Sequence, residues 1–294
     1  TNIYTNAGHI RNKGFEFSIN YTKQFGEWNF GATLTGSTLK NEAIEVGDDI
    51  FTSSGVADGY YWDNYSITRN GYPVGSYYGY KVAGIFQSQA EIDALNQQAV
   101  EKTNGEITAY QMAETQPGDY KYVDVNGDGY ISDADRTILG DGYPKLNYGL
   151  NLTAGYKGWD FSLYMYGVVG QDILSYSYAN LTSVFDAQGG YQNCLADYMM
   201  NAWTEDNPST KYPRLTRANP NHNSRVSDAF IKNGDFLRIS NLQVGYTFPK
   251  EWIRHARMES LRIYASVENL ATITGYKYGE PEVGDSNVLR TGFD

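Results

Sequence analysis

The chain has 294 residues, including 27 tyrosines and 31 glycines, and only 19% of it is charged. Its formal net charge of −11 excludes a nucleic-acid partner, because phosphate contacts need a basic surface. The single cysteine, Cys194, excludes an internal disulfide, and no apolar run is long enough for a membrane helix. A membrane-spanning form would therefore have to be a closed β-barrel. The polar start at Thr1 has no signal peptide, so we expect a part of a longer protein.

Six segments alternate between apolar and polar residues with a period of two, which is typical of strands whose two faces meet different surroundings. In chain order they span residues 15–22, 28–35, 147–156, 159–166, 241–248 and 261–268. In the first segment the apolar face carries Phe15, Phe17, Ile19 and Tyr21. The opposite faces are mostly small or polar, with Tyr164, Tyr166 and Tyr264 as bulky exceptions.

The connections between these segments alternate between short and long. Residues 23–27, residues 157–158 and a charged stretch after Pro249 join the segments into three hairpins. Residues 41–145 and 173–235 separate the hairpins, and residues 90–100 and 191–203 within them have helical spacing. Short turns at one end and long loops at the other are typical of outer-membrane barrels.

These patterns predict an all-β chain, namely an antiparallel transmembrane β-barrel segment with about six strands of a larger barrel. Residues 1–294 would form this partial barrel, and residues 41–145 and 173–235 would be long, partly helical extracellular loops. The apolar faces would contact outer-membrane lipid, and the polar faces would line a water-filled pore.

One short loop has the spacing of a calcium site. Oxygen-bearing side chains fall at positions 1, 3, 5, 9 and 12 of residues 124–135, with Gly129 at position 6 for the tight turn. The predicted ligands are Asp124, Asn126, Asp128, the carbonyl of Tyr130, Ser132 and Asp135. The last position has aspartate where an EF-hand has glutamate, and a turn without metal is the alternative. Bound Ca²⁺ would be structural, since it would offset the repulsion among the acids.

Several runs, in order along the chain, resemble the SusC/RagA family of TonB-linked outer-membrane transporters. Residues 70–86 read NGYPVGSYYGYKVAGIF, residues 117–124 read PGDYKYVD, and residues 135–140 read DRTILG. Further similar runs are 144–150, 167–172, 228–239 and 267–270. The chain is therefore identified as similar to the C-terminal part of such a barrel.

The resemblance implies a barrel of about 22 strands in the outer membrane of a Gram-negative cell. Such proteins import oligosaccharides, or peptides in some members, beneath a SusD-like surface lipoprotein. TonB supplies the energy through an N-terminal box and plug, neither of which is present in this chain. Aromatic residues of the first long loop could stack on sugar rings, or could simply pack the loop. These are Trp62, Tyr65, Tyr77 and Tyr78.

Three other functions are alternatives to this one. A siderophore or vitamin receptor of the same barrel class predicts the same strands, although the loop motifs favour the SusC type. A soluble, calcium-stabilised glycan-binding β module would use the calcium-type loop without any membrane. An enzyme is not expected, because Asp124, Asp128 and Asp135 are better used by calcium and no Ser–His–Asp arrangement occurs.

Overall fold

The computed structural model describes residues 8–52, 62–184, 192–216, 219–284 and 287–294. Within these ranges the strands are β1 (Gly8–Phe25), β2 (Trp28–Val46), β3 (Ile50–Thr52), β4 (Ser66–Thr68), β5 (Ser76–Gly79), β6 (Val82–Ile85), β7 (Tyr120–Tyr122), β8 (Thr137–Gly140), β9 (Leu146–Tyr156), β10 (Trp159–Val169), β11 (Asp172–Leu174), β12 (Ile231–Asn233), β13 (Phe236–Thr247) and β14 (Arg262–Thr274). The helices are α1 (Gln89–Lys102), α2 (Tyr176–Leu181), α3 (Ala196–Asn201) and α4 (Lys250–Ile253). Short 3₁₀ turns occupy Asp133–Asp135, Asp228–Phe230, Arg254–Ala256 and Val288–Arg290.

One six-stranded antiparallel sheet dominates the molecule, with the strand order β1-β2-β9-β10-β13-β14. Every pair of neighbouring strands in it is antiparallel. The three predicted hairpins are confirmed, and each long strand belongs to one of them. Because β1 and β14 have no strand on their outer sides among the described residues, the sheet presents two unpaired edges.

The register keeps the two faces of this sheet chemically distinct across all six strands. One row of paired residues reads Thr22, Gly31, Thr153, Ser162, Gln243 and Ser266. The adjacent row, on the other face, reads Tyr21, Ala32, Leu152, Leu163, Leu242 and Val267. We call these the polar face and the apolar face; the alternation seen in single segments therefore extends over the whole sheet.

The first two strands extend well beyond the predicted segments. Strand β2 continues to Val46, and Asn12 pairs with Asn41 near its far end. The Arg11 guanidinium also contacts the Glu42 carboxylate there at 2.8 Å. Polar side chains on both faces carry no period-two signal, whereas the backbone ladder forms regardless of side-chain type. The sequence pattern therefore marked only the part of each strand whose faces differ.

Most of the remaining residues form a second layer, which we call the loop body: residues 47–145, 170–235 and 275–294, within the described ranges. Residues 248–261, with α4, connect β13 to β14. The loop body contains a four-stranded sheet, β3-β4-β5-β8, and the pairs β6-β7 and β11-β12. Helix α1 matches the helix predicted at residues 90–100, and its N-terminus is capped by the Ser88 hydroxyl, which accepts from the Glu91 amide. Helix α3 covers only part of the region predicted at 191–203.

The core of the loop body is aromatic and joins its separate segments. Trp62, Tyr65 and Tyr77 pack with Tyr178 and Phe230, which are far away in sequence. The Tyr77 hydroxyl donates to backbone carbonyls of Asp172 and Gly292 at 2.8 and 2.9 Å. The loops therefore fold together as one packed unit.

In the part of the chain that the structure describes, no helix has the length and apolar character needed to cross a membrane.

Candidate functional site

The polar face of the large sheet carries a broad groove beneath the loop body. The groove has a volume of about 720 Å³ and includes Glu16, Asn147, Tyr164, Tyr166 and Glu282 in its lining. Tyr164 and Tyr166 lie with ring centroids 6.0 Å apart and nearly parallel planes. Aromatic rings and carboxylates on a face of otherwise small residues provide a surface that can contact a polar solute.

The arginines Arg238 and Arg262 on this face are paired with carboxylates. The Arg238 guanidinium contacts the Glu280 carboxylate and lies 3.0 Å from that of Glu282. Arg262 on β14 lies 2.6 Å from Asp160 on β10, across the intervening strand β13. The Tyr166 hydroxyl donates to Glu282 at 2.9 Å, so the sheet and the segment after β14 are connected above the groove.

The apolar face is exposed on the edge strands and partly exposed on the central ones. Phe25 is 73% exposed, Ile19 59% and Ile263 60%. A row of aromatic side chains crosses the sheet next to the three hairpin turns: Phe25, Trp28, Tyr156, Trp159 and Tyr246. Soluble proteins rarely expose an apolar surface of this extent, whereas barrels place such a surface and an aromatic girdle against lipid.

The structure buries most of the aromatic residues that could have stacked on sugars. Trp62, Tyr65 and Tyr77 are at most 2% exposed. Tyr78 is half-buried, and its ring lies under the Arg136 guanidinium at 4.8 Å. Stacking on a sugar needs an open ring face, so this placement gives sugar contact no support; packing of the loop body accounts for these side chains.

The calcium-type loop is closed by its own backbone amides. The Asp124 carboxylate accepts hydrogen bonds from Gly127 and Gly129 at 2.7 and 2.8 Å. The buried Asp135 carboxylate accepts from Val125 and Ser132 at 2.8 and 2.7 Å. The first and the last carboxylate of the loop therefore both accept hydrogen bonds from backbone amides between them.

The other predicted ligands make contacts within the same loop. The Asn126 amide donates to the Asp128 carboxylate at 2.8 Å, and the Tyr130 backbone N–H donates to the same side chain at 3.2 Å. The Ser132 hydroxyl accepts from the Ala134 amide at 3.2 Å. These contacts use side-chain oxygens that a cation would otherwise attract.

A lysine from helix α1 approaches this loop. The Lys102 ammonium donates to the Gly127 carbonyl at 2.9 Å and lies 3.8 Å from Asp124. Across the described ranges, no three acidic, histidine or cysteine side chains come together as a metal site. The residue types match those that Ca²⁺ prefers, but the side-chain arrangement does not gather them. Calcium binding therefore stays a prediction from spacing.

A buried polar network, which the sequence did not reveal, connects the two long loops of the loop body, residues 47–145 and 170–235. The fully buried Asp119 carboxylate lies 2.7 Å from the Arg214 guanidinium and also accepts from the Asn223 amide at 2.9 Å. Asn223 in turn accepts from the Tyr120 amide at 3.0 Å. Asp119 lies in one of the similar runs, but its arginine partner is 95 residues away with no spacing to indicate it.

Comparisons with known proteins agree with this geometry. No family model matches the chain. TonB-dependent receptor P3 of Formosa agariphila is 32% identical over 286 residues, which are 96% of this chain and 26% of that receptor. TonB-dependent receptor SusC of Bacteroides thetaiotaomicron is 26% identical over 292 residues, or 95% of this chain and 24% of that receptor. The chain thus spans about a quarter of these relatives.

Solved structures share the fold. The RagAB peptide transporter superposes with a TM-score of 0.70 at 20% identity, covering 99% of this chain and 28% of that one. The RagAB peptide importer in its closed-closed state gives a TM-score of 0.68 at 22% identity, over 99% of this chain and 28% of that one. The relatives are named as receptors and not as enzymes, in agreement with the prediction. The chain is therefore similar over nearly its whole length to a segment of TonB-dependent receptors, SusC among them, and it shares the fold of the RagAB structures.

Proposed function

We propose that the intact protein imports oligosaccharides across the outer membrane of a Gram-negative cell, with energy supplied through TonB. The six-stranded sheet is then part of the barrel wall, with the apolar face in lipid and the polar face toward the pore. The loop body lies outside the cell beneath a SusD-like lipoprotein; it is the predicted loop 41–145 less residues 41–46, which belong to β2, together with the predicted loop 173–235 and the segment after β14.

The observation that carries this proposal is the two-faced sheet with two unpaired edges. An open sheet with an exposed apolar face is unstable in water, and its edges would pair with other chains. In a membrane, both problems are solved if further strands of the same protein continue the sheet until it closes. The relatives extend well beyond the quarter that matches this chain, which supports a sheet continued by further strands.

Uptake by cells tests the transport proposal. Cells that carry the intact receptor as their only such transporter are given a labelled oligosaccharide, and uptake is compared with and without functional TonB. We expect uptake to need both TonB and the SusD-like lipoprotein, while uptake of a monosaccharide small enough for porins stays unchanged. Oligosaccharide uptake that continues without TonB would contradict the proposal.

The same cells distinguish the other cargo classes. Peptides are the second candidate, because the RagAB structures of the same fold are described as a peptide transporter and importer. Receptor-dependent uptake of labelled peptides but not of oligosaccharides would assign the chain to peptide import. Receptor-dependent uptake of a ferric siderophore or vitamin alone would assign it to the third class.

We also propose that the loop at residues 124–135 binds Ca²⁺ as a structural ion. Its support is the ligand spacing and the residue types, which match calcium loops. Titration calorimetry of the intact receptor with CaCl₂ should detect binding, and Asp128→Asn should weaken it about tenfold or more because one carboxylate charge is lost. The matched control is Asp133→Asn, an exposed position in the same loop that is not a predicted ligand. Absence of binding to the unsubstituted receptor would contradict this proposal.

A further inference from the structure

A polar cavity lies between the two long loops, residues 47–145 and 170–235. It adjoins the calcium-type loop, whose Ser132 and Asp133 belong to its lining, and among the described residues it shares no lining residue with the groove on the sheet. Its volume is about 560 Å³. The first loop region contributes Tyr80 and Arg136 to its lining, and the second contributes His222 and Arg225. Two arginines therefore meet in one cavity of a chain whose net charge is −11.

Arg225 is a buried cation without a carboxylate. It is only 8% exposed, and it forms no salt bridge among the described residues. Its guanidinium donates to the carbonyls of His222 and Asn221, each at 3.2 Å. The rings of Tyr80 and Tyr122 lie 4.9 and 4.6 Å from its central carbon. Neutral carbonyls and rings reduce the cost of burying this charge but do not neutralise it.

Arg136 likewise contacts neutral carbonyls and an aromatic ring. Its Nη2 nitrogen donates to the carbonyls of Asp63, Asn64 and Tyr78 at 2.9, 2.7 and 3.2 Å. Within the described ranges it too has no salt bridge, and neither arginine has an acceptor for its Nη1 nitrogen. Each guanidinium thus has donor capacity that the protein does not use.

The acidic residues of the cavity lie at its rim. Asp63 and Asp133 are exposed, so water and salt screen their charges, whereas the buried Arg225 is screened much less. Asp133 also accepts a hydrogen bond from the Tyr80 hydroxyl at 2.9 Å. Burial first, and then the nearby Arg225 charge, lowers the pKa of His222, while Glu114 acts in the opposite direction.

We propose that this cavity binds a carboxylate group of the imported nutrient between Arg136 and Arg225. Guanidinium groups with unused donors match the planar carboxylate, and a buried, unpaired cation gains most from an incoming anion. This inference rests on the proposed import function and narrows its cargo to acidic molecules. The carboxylate could belong to a uronic-acid sugar or to the C-terminus of a peptide, since both present the same group.

The test compares binding of matched probes to the intact receptor in detergent by titration calorimetry. The probes are trigalacturonate, its neutral counterpart galactotriose, and one short peptide with either a free or an amidated C-terminus. We expect Arg136→Gln to weaken binding of the acidic probe about tenfold or more, because a charge-assisted pair is lost. The neutral probes should be unaffected. Lys81→Gln is the matched control, since it removes an exposed charge of the same loop region outside the cavity.

The acidic probe whose binding is weakened by Arg136→Gln identifies the source of the carboxylate. A loss restricted to trigalacturonate assigns the site to uronic acids, and a loss restricted to the free-ended peptide assigns it to peptides. Equal affinity of Arg136→Gln and the unsubstituted receptor for every acidic probe, or no binding of either acidic probe, would overturn the inference. Receptor-dependent uptake of neutral oligosaccharides would then still support the import proposal, so the two failures are distinguishable.

The buried arginine provides a second variant. Arg225→Gln should weaken binding of the same probe as Arg136→Gln does. Thermal unfolding shows whether the Arg225→Gln variant retains its fold. If Arg225→Gln does not fold, binding of the probes to Arg136→Gln alone tests the inference.

Discussion

Replacing Leu152 with arginine tests which face of the sheet meets lipid. Leu152 lies on the apolar face four residues before Tyr156, a member of the aromatic row. At about 3.3 Å per residue this is roughly 13 Å along the strand. With a tilt of about 45°, Leu152 lies roughly 9 Å from the level of the aromatic row, near the middle of an apolar band about 25 Å tall.

An arginine near the midplane of a barrel costs about 2–4 kcal/mol when it faces lipid. We therefore expect Leu152→Arg to reduce the folding equilibrium constant roughly 30- to 900-fold. Thr153→Arg is the matched control, because the next residue lies on the polar face. Its cost should stay below about 1 kcal/mol, since a charge on the pore side remains in water.

The assay folds the full-length receptor into lipid vesicles and follows unfolding in urea by gel mobility. The difference between the two variants is the informative quantity, because both add the same side chain to neighbouring positions. If Thr153→Arg is as damaging as Leu152→Arg, or if Leu152→Arg costs less than about 1 kcal/mol, the lipid-facing assignment of the apolar face is wrong.

Three further predictions concern turns, the buried network and pH. Gly158 and Gly26 both have positive φ at hairpin turns, but a Cβ on Gly158 would lie 2.7 Å from a backbone carbonyl whereas one on Gly26 meets nothing within 4 Å. Urea unfolding should therefore show Gly158→Ala to be more destabilising than Gly26→Ala, whose cost should be about 1 kcal/mol. Asp119→Ala leaves its arginine partner without a carboxylate and should cost about 3 kcal/mol in thermal or urea unfolding; a cost below about 1 kcal/mol would contradict the role of the network. Burial lowers the pKa of Lys232 to about 8, so its charged form destabilises the fold at neutral pH. The unfolded lysine keeps its proton between pH 8 and 10, so the stability of the natural protein should rise relative to Lys232→Met across that range, and a constant difference would refute this.

The strands could be predicted from the sequence because their two faces meet different surroundings. Alternation located all six members of the large sheet and their hairpins, since a period of two arises wherever one face is apolar and the other polar. It did not locate the outer part of β2 beyond residue 35, because Lys40 and Glu42 lie in a region where both faces carry polar residues. Backbone pairing extends the strand there without any side-chain signal.

The sequence of the loop body indicated its family but did not predict how its segments pack together. The run at residues 70–86 indicated the family, yet it could not show that Tyr77 packs against segments more than 90 residues away. Likewise, the arginines of the proposed carboxylate site, Arg136 and Arg225, come from different loop regions. Contacts of such long sequence separation depend on how the loops fold together, which no local pattern encodes.

The most direct test of the central claim compares two neighbouring positions of β10 in the membrane. Spin labels are attached at Leu163→Cys and at Ser162→Cys, in full-length receptor whose native Cys194 is replaced by serine. Relaxation by oxygen, which concentrates in lipid, and by a water-soluble nickel chelate then reports what each label meets. We predict strong relaxation by oxygen and little by nickel at position 163, with more nickel and less oxygen at position 162. Equal responses at both positions, or the reverse pattern, would contradict a sheet that separates hydrocarbon from a watery pore.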